Sequence, residues 1–199
     1  MKTKFITNFN NEEVLIHELK KYNEKAFDFF VLKYQKMITS YINRMINNND
    51  EAWNISQEVF IAVFKNIKEF RGESSLKTWL FRIARNFTIN RIKYLTVRKS
   101  NKHNSIENTK EKFPNYDISV KESPLLNLQK KEDVKLIHLA LSRLKENDRE
   151  IITLRDLQEL NYDEIADILE LSLGTVKSRL FRAREKLKVE YQLLESENE

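Results

Sequence analysis

Residues 161–188 read NYDEIADILELSLGTVKSRLFRAREKLK. At 100° per residue, Val176, Leu180, Ala183 and Leu187 share one narrow apolar stripe. The opposite side carries Ser178, Phe181, Arg182 and Glu185, flanked by Lys177 and Lys188. Upstream, Tyr162 to Leu169 suits a short helix, with Asn161 and Glu164 at capping-box spacing. A tight turn, ELS, follows, and Ser172 is placed to cap the helix that begins LGTV. These are the proportions of a helix-turn-helix, whose second helix enters a DNA major groove. Arg182 and Lys177 then donate to guanine acceptors or phosphates, Ser178 bonds either, and Phe181 packs on a thymine methyl. A solvated basic helix face is the commoner reading of such charges, but the caps, the turn and the outward phenylalanine weigh against it. A membrane-surface helix needs a much broader apolar face.

Working outward, the whole chain of 199 residues has the size of one sizeable domain or two small ones. With 41% hydrophobic and 33% charged residues it has a globular composition, neither disordered throughout nor membranous. Only two glycines and two prolines are present, too few for the frequent turns a sheet needs, so the expected fold class is all-α. The lack of cysteine excludes disulfides, thiolate chemistry and cysteine-ligated zinc. Three scattered histidines make a metal site an unattractive reading. No apolar run has signal-peptide or membrane-span length, which leads to the expectation of a cytoplasmic protein without membrane insertion. The net charge of +5 is compatible with a polyanionic partner but does not decide it.

Four helical stretches precede residue 100. Asn11 is placed to cap EEVLIHELKKY, and Asn23 to cap EKAFDFFVLKYQKMITSYINRMI. After the break NNND, Asp50 is read as the start of EAWNISQEVFIAVFKNIKEF. The turn RGESS supplies a serine cap for LKTWLFRIARNFTINRIKYL. From Thr96 to Ser123 the chain is polar, mixed in charge and without a sustained stripe, as in a linker. This stretch is either a mere tether or a functional path. Beyond Pro124, Val134, Ile137, Ala140, Leu141 and Leu144 mark a helix, and Asn147 with Glu150 has capping-box spacing for the next. The end, ESENE, is polar and expected to fray.

Between Ser74 and Ile106 no acidic residue occurs, while Lys77, Arg82, Arg85, Arg91, Lys93, Arg98, Lys99 and Lys102 are basic. Trp79, Phe81, Phe87 and Tyr94 are interleaved with them. Leu76, Leu80, Ile83 and Phe87 share a buried stripe that leaves Thr78, Arg82 and Arg85 outward. Positive charge beside aromatic rings suits separated single strands, because bases stack and phosphates need neutralising. Phe87 and Tyr94 are read as core, and Trp79 stands at the stripe's edge. Asn54, Gln57 and Glu58 form a polar set opposite Ile55, Val59, Ala62 and Val63, by itself an ordinary exposed face. No phosphate-cradling glycine loop, nucleophile with a base, or metal spacing is visible, so neither an enzyme nor a cofactor is expected.

Two blocks, DEAWNISQEVFIAVFKNIKEFRGESSLKTWLFRIARN and LSRLKENDREIITLRDLQELNYDEIADILELSLGTVKSRLFRAREKL, in this order around a linker, resemble the extracytoplasmic-function (ECF) branch of the sigma-70 family. These are bacterial transcription initiation factors, and the resemblance spans roughly Phe27 to Leu95 and Leu136 to Lys188. It implies a region 2 helical bundle over 1–95, a flexible linker over 96–125, a region 4 helix-turn-helix domain over 126–192 and a polar tail over 193–199. It implies that Asn54, Gln57 and Glu58 grip the coiled coil of the largest subunit of core RNA polymerase. By the same resemblance, Phe70, Arg71, Gly72, Glu73, Ser74, Ser75 and Leu76 form the loop that captures a flipped −10 base. Thr78, Arg82, Arg85 and Asn86 would meet the upstream edge of the melted region. Thr175, Lys177, Ser178, Phe181 and Arg182 would read the −35 element of promoter DNA. An anti-sigma factor is a further partner common in the family. The chain departs from the pattern at Asn54, usually acidic, and at Glu170 and Ser172, where glycine and proline are frequent.

Distances agree with this division. Promoter elements about two helical turns apart lie roughly 70 Å from each other, and a linker of about 28 residues spans at most roughly 95 Å. Two other readings stay open at this level. A two-domain regulator binding duplex DNA only would have no use for an acid-free aromatic helix. A protein-interaction module with an acidic partner would show a shallow salt response, whereas about six phosphate contacts give a log–log slope near −5.

Overall fold

Short polar side chains set where the helices begin. The computed structural model describes residues 8–101 and 124–197. Among these residues there are α1 (Glu12–Lys20), α2 (Glu24–Ile46), α3 (Asn49–Asn66), α4 (Leu76–Asn101), α5 (Pro124–Arg143), α6 (Glu146–Ile152), α7 (Tyr162–Leu169) and α8 (Leu173–Glu197), and no strand. The Asn11 side chain accepts from the Val14 amide at 3.1 Å, Asn23 from Lys25 at 3.0 Å and Ser75 from Thr78 at 3.0 Å. Each satisfies a backbone donor that has no partner inside its helix. At α3 the cap is Asn48, which accepts from Glu51 at 2.9 Å, so the helix starts at Asn49 and not at Asp50. Asp50 lies in the first turn instead, where its charge complements the helix dipole.

Two helix ends run further than the sequence pattern indicates. No glycine or proline interrupts α4 after Leu95, and it continues to Asn101. The expected linker over 96–125 thus opens in a helix, and its residues 102–123 lie outside those described. At the other end, ESENE does not fray from its first residue. The helix α8 reaches Glu197, which accepts from Arg143 of α5 at 3.0 Å, while Leu194 is buried beneath it.

The helix α2 supplies the centre of the first half. Its Phe30, Ile38, Tyr41 and Ile42 share a buried cluster with Val59 and Val63 of α3 and Leu80 and Phe81 of α4. Tyr41 meets Phe81 edge-on, ring centres 5.5 Å apart, a preferred aromatic geometry. In the second half, Leu141 of α5, Ile151 of α6, Ile165 and Ile168 of α7 and Val176, Leu180 and Ala183 of α8 are buried. The 176/180/183 stripe is the one the sequence displays. Each of these valine, leucine and isoleucine side chains stabilises by about 1.5–3 kcal/mol relative to exposure, and the Ala183 methyl by less. The apolar cluster is continuous between the halves, with α5 and α6 lying on α2, and α7 on α4.

Between α6 and α7 the backbone widens into a π-turn, Thr153–Leu157, which places Asp156 against Arg184 of α8 at 3.0 Å. The α7 capping box is complete. Glu164 N–H donates to the Asn161 side chain at 2.8 Å, and Asn161 N–H to the Glu164 carboxylate at 2.8 Å. The helix then ends on Glu170 in the left-handed region, φ 55°. Ser172 starts α8 by accepting from Thr175 N–H at 3.2 Å. A side chain at that φ is strained, so Glu170→Gly is expected to stabilise the fold by about 0.5–1 kcal/mol after allowing for glycine's greater freedom when unfolded. Urea denaturation of both proteins measures this, and a less stable variant would mean the turn is not strained at Glu170.

Candidate nucleic-acid interface

The outward face of α8 stands clear of the core. Phe181 is 68% exposed, and Lys177, Ser178 and Arg182 are exposed around it, with Thr175 half-buried at the start of the helix. The Arg182 guanidinium folds back, its Nε donating to the Ser178 carbonyl at 3.2 Å. Beside it, Lys145, Asn147, Arg179 and Lys186 line a shallow cleft with Arg182. Asp148 at the cleft wall accepts from Lys186 at 2.5 Å. Arg179 and Lys186 share a helix with Arg182, so their place beside it is local, but Lys145 reaches the site only through the packing of α6 on α8.

The loop before α4 is anchored at both ends. Phe70 is buried and packs on Trp79, ring centres 5.2 Å apart, and Leu76 is wholly buried. These two side chains hold the loop in place and do not face outward. Between them, Arg71, Gly72 and Glu73 are exposed and Ser74 and Ser75 half-buried. Gly72 turns the chain at φ 76°, which an L side chain adopts only with strain. The Leu76 N–H, unpaired within its own helix, donates to the Glu12 carboxylate of α1 at 3.1 Å. The Ser75 and Thr78 hydroxyls lie 2.8 Å apart and complete the helix start.

The outward stripe of α4 is covered. Thr78 is buried, and Arg82 and Arg85 are only partly open to solvent where the helical wheel indicates full exposure, because the second half of the chain packs against this side of α4. Thr78 is 1% exposed. Arg82 pairs with the Asp167 carboxylate, and its Nε donates to the Asp167 carbonyl at 3.2 Å. Arg85 Nε donates to Glu150 Oε1 at 3.0 Å, and the buried Tyr41 hydroxyl donates to the same oxygen at 2.8 Å. Glu150 is therefore not the partner of Asn147 in a capping box, and Lys145 at the start of α6 makes no side-chain cap. Burial pushes the Glu150 carboxyl up, while Arg85 and the Tyr41 hydrogen bond act in the opposite sense. Burial, then the Glu150 charge, pushes the Tyr41 phenol well above its ordinary range, so it remains a donor. A further contact joins Arg44 of α2 to His138 of α5. Burial and the neighbouring guanidinium pull that imidazole down to about 4, leaving it neutral at physiological pH.

On the other side of α4 the surface is open. Asn54, Gln57 and Glu58 of α3 are exposed, and they line a groove with Asn86, Asn90 and Tyr94 of α4. Tyr94 is 53% exposed with the Arg91 guanidinium 5.1 Å from its ring centre, so it does not belong to the core. Phe87 does pack against the core, and Trp79 is partly buried. Among the described residues, no cluster of histidine and carboxylate side chains could hold a metal, and no helix is long and apolar enough to cross a membrane.

Two family models match this arrangement: Sigma-70 region 2 over residues 30–96 and Sigma-70, region 4 over residues 135–187. The RNA polymerase sigma-H factor of Pseudomonas aeruginosa is 33% identical over 174 residues, covering 87% of this chain and 90% of its own. The chain belongs to the sigma-70 family. The ECF RNA polymerase sigma-E factor of Haemophilus influenzae is likewise 33% identical over 187 residues, 92% of this sigma factor and 96% of the relative. A solved sigma factor RpoE from Bartonella quintana, in complex with the anti-sigma factor NepR, shares the fold. Its TM-score is 0.68 at 22% identity, covering 84% of this chain and 98% of that one. This sigma factor acts in promoter-specific transcription initiation, with core RNA polymerase and promoter DNA as partners.

The geometry separates a fold role from a recognition role at Phe181. With its ring in solvent, Phe181→Ala is expected to change stability by less than about 0.5 kcal/mol while weakening duplex promoter binding. Thermal melting and fluorescence anisotropy measured on one preparation check this, and a clear loss of stability would make Phe181 a packing residue.

Proposed function

We propose that this sigma factor divides promoter reading between two surfaces and docks on polymerase through a third. Thr175, Lys177, Ser178, Phe181 and Arg182 read the −35 duplex, with Lys145, Arg179 and Lys186 neutralising phosphates at the edge of the site. The loop Phe70–Leu76 captures a flipped −10 base through its exposed Arg71, Gly72 and Glu73, held by the Phe70 and Leu76 anchors. Unstacking costs a few kcal/mol per base, offset by contacts in the receiving site. Thr78, Arg82, Arg85 and Asn86 meet the upstream edge of the opened strand. Asn54, Gln57 and Glu58 contact the coiled coil of the largest polymerase subunit, and Asn54, being neutral, makes a weaker contact than a carboxylate would. The protein has no catalysis of its own, works in the cytoplasm and takes an anti-sigma partner, as its Bartonella relative does.

The observation that carries this reading is Phe181, set in solvent between exposed Lys177 and Arg182 on an otherwise well-packed helix-turn-helix. Run-off transcription with reconstituted polymerase on genomic fragments tests it, and absence of specific transcripts would favour a regulator that binds duplex only. Arg182→Ala is expected to cost about 1–3 kcal/mol and relax preference at one −35 position. Equal loss on every sequence would make Arg182 a phosphate anchor. Gln57→Ala is expected to weaken association with core polymerase by about 1–2 kcal/mol and leave −35 duplex binding unchanged. A drop in both would indicate misfolding.

A further inference from the structure

Three aromatic rings stand together at the foot of the loop before α4. Tyr22, in the turn between α1 and α2, has φ 59°, a conformation that an L side chain holds only with strain. Its ring centre lies 5.2 Å from that of Phe64 on α3, and Phe64 lies 4.7 Å from Phe27 on α2. Tyr22 is 39% exposed and Phe64 46%, with Ile61, one turn earlier on α3, at 54%. Large rings left in water beside a strained backbone point to a surface kept for a ligand. The surroundings are cationic. The Lys68 ammonium is 4.8 Å from the Tyr22 ring centre, and that of Lys20 is 5.9 Å from the Phe70 ring centre. Lys65 and Arg71, three residues to either side of Lys68, are both exposed. Glu69 and Glu73 stand among these four cations, so the local balance stays positive.

The patch adjoins the Phe70 end of the loop, through the 3-10 turn Ile67–Glu69 that carries Lys68, whereas α4 leaves from the Leu76 end. With the upstream edge of the opened strand given to α4, the rings at the opposite end lie downstream. We propose that Tyr22 and Phe64 form a stacking platform for unpaired bases on the downstream side of the one held by the loop, with Lys65 and Lys68 on their phosphates. Every base has a π-face, so such a platform extends the grip on a separated strand without reading its sequence. A base that stacks on Tyr22 displaces the Lys68 ammonium from the ring, and the ammonium gains a phosphate oxygen instead. A protein partner suits the patch less, because lysine is depleted where protein surfaces meet. Both rings are open with the second half of the chain in place, so the full chain can be tested as it stands. This inference rests on the proposed capture of a base by the loop Phe70–Leu76.

Fluorescence anisotropy compares fluorescein-labelled single-stranded 8-mers of randomised sequence with an abasic 8-mer that carries the same phosphates. The wild-type chain should prefer the base-bearing strand about tenfold, within what stacked bases contribute. Tyr22→Gly removes the ring and relieves the strained φ, so it should lose most of that preference with no fall in melting temperature. Phe64→Ala should lose it as well, and Tyr22→Phe, which keeps a ring, should retain it. Arg71→Ala probes the loop by itself and should weaken binding of the base-bearing strand. A preference unchanged in both Tyr22→Gly and Phe64→Ala would overturn the platform, and weakening by Arg71→Ala would then show that the loop's role survives. The converse, a preference lost at Tyr22 and Phe64 with Arg71→Ala binding as the wild type does, would overturn the loop's role and support stacking at the two rings alone. Association with core polymerase is measured on the same variants. Its loss in Tyr22→Gly, with the strand preference intact, would make the patch a protein contact and overturn the proposal.

Discussion

The Glu150 carboxylate is the point on which the two halves turn. It is 1% exposed, and the donors that reach it, the Tyr41 hydroxyl and the Arg85 guanidinium, come from the other half of the chain. A carboxylate so placed is tolerated only when its lone pairs are met. The spacing of α6 from α2, and so the seating of α7 on α4, is governed by that requirement. If the second half shifted slightly while staying dry, Glu150 would lose its donors and keep the penalty of burial. The halves therefore either meet fully or separate into water.

Magnitude decides how firmly they meet. Removing one partner of a buried charge pair while the other stays buried costs about 3–5 kcal/mol. Hinged separation differs, because Glu150, Arg85, Arg82 and Asp167 would all regain hydration together. Partly exposed pairs such as Arg82 with Asp167 contribute only about 0–1 kcal/mol. The polar contacts thus confer specificity of docking more than strength. Most of the adhesion is apolar, carried where the two sets of core residues meet. An interface of that composition holds one geometry and still yields to a competitor with several new contacts.

Much of the architecture is visible in the sequence because it is local. Asn11, Asn23, Ser75, Asn161 with Glu164 and Ser172 cap the helices they precede, each within three residues of its target. The stripe Val176, Leu180, Ala183 depends on one helix alone, and so does the outward Phe181. Errors arise where the partner is distant. Glu150 has the spacing of a capping box with Asn147, but Tyr41, 109 positions away, competes for it and wins. Thr78, Arg82 and Arg85 do lie opposite the core stripe of their helix. No helical wheel records that α7 packs there. Tyr94 departs in the other direction: its aromatic character indicates core, yet α4 has outrun the bundle at that point and its ring meets Arg91.

The hydrogen bond from the Leu76 amide to Glu12 has a consequence for how the loop before α4 should be thought of. The two residues are 64 positions apart, so the turn at Gly72 and the cap at Ser75 are completed by an acceptor from outside the loop. A synthetic peptide spanning the loop and α4 would carry every side chain proposed to touch a flipped base, yet lack the carboxylate that fixes its first turn. Its shape would drift, and grafting the segment onto another scaffold would require bringing an acceptor to the same amide. The short amino-terminal helix acts as a remote set-screw for the loop, and variation along it would alter the loop's shape, and with it the base capture proposed there, without altering any group proposed to touch DNA.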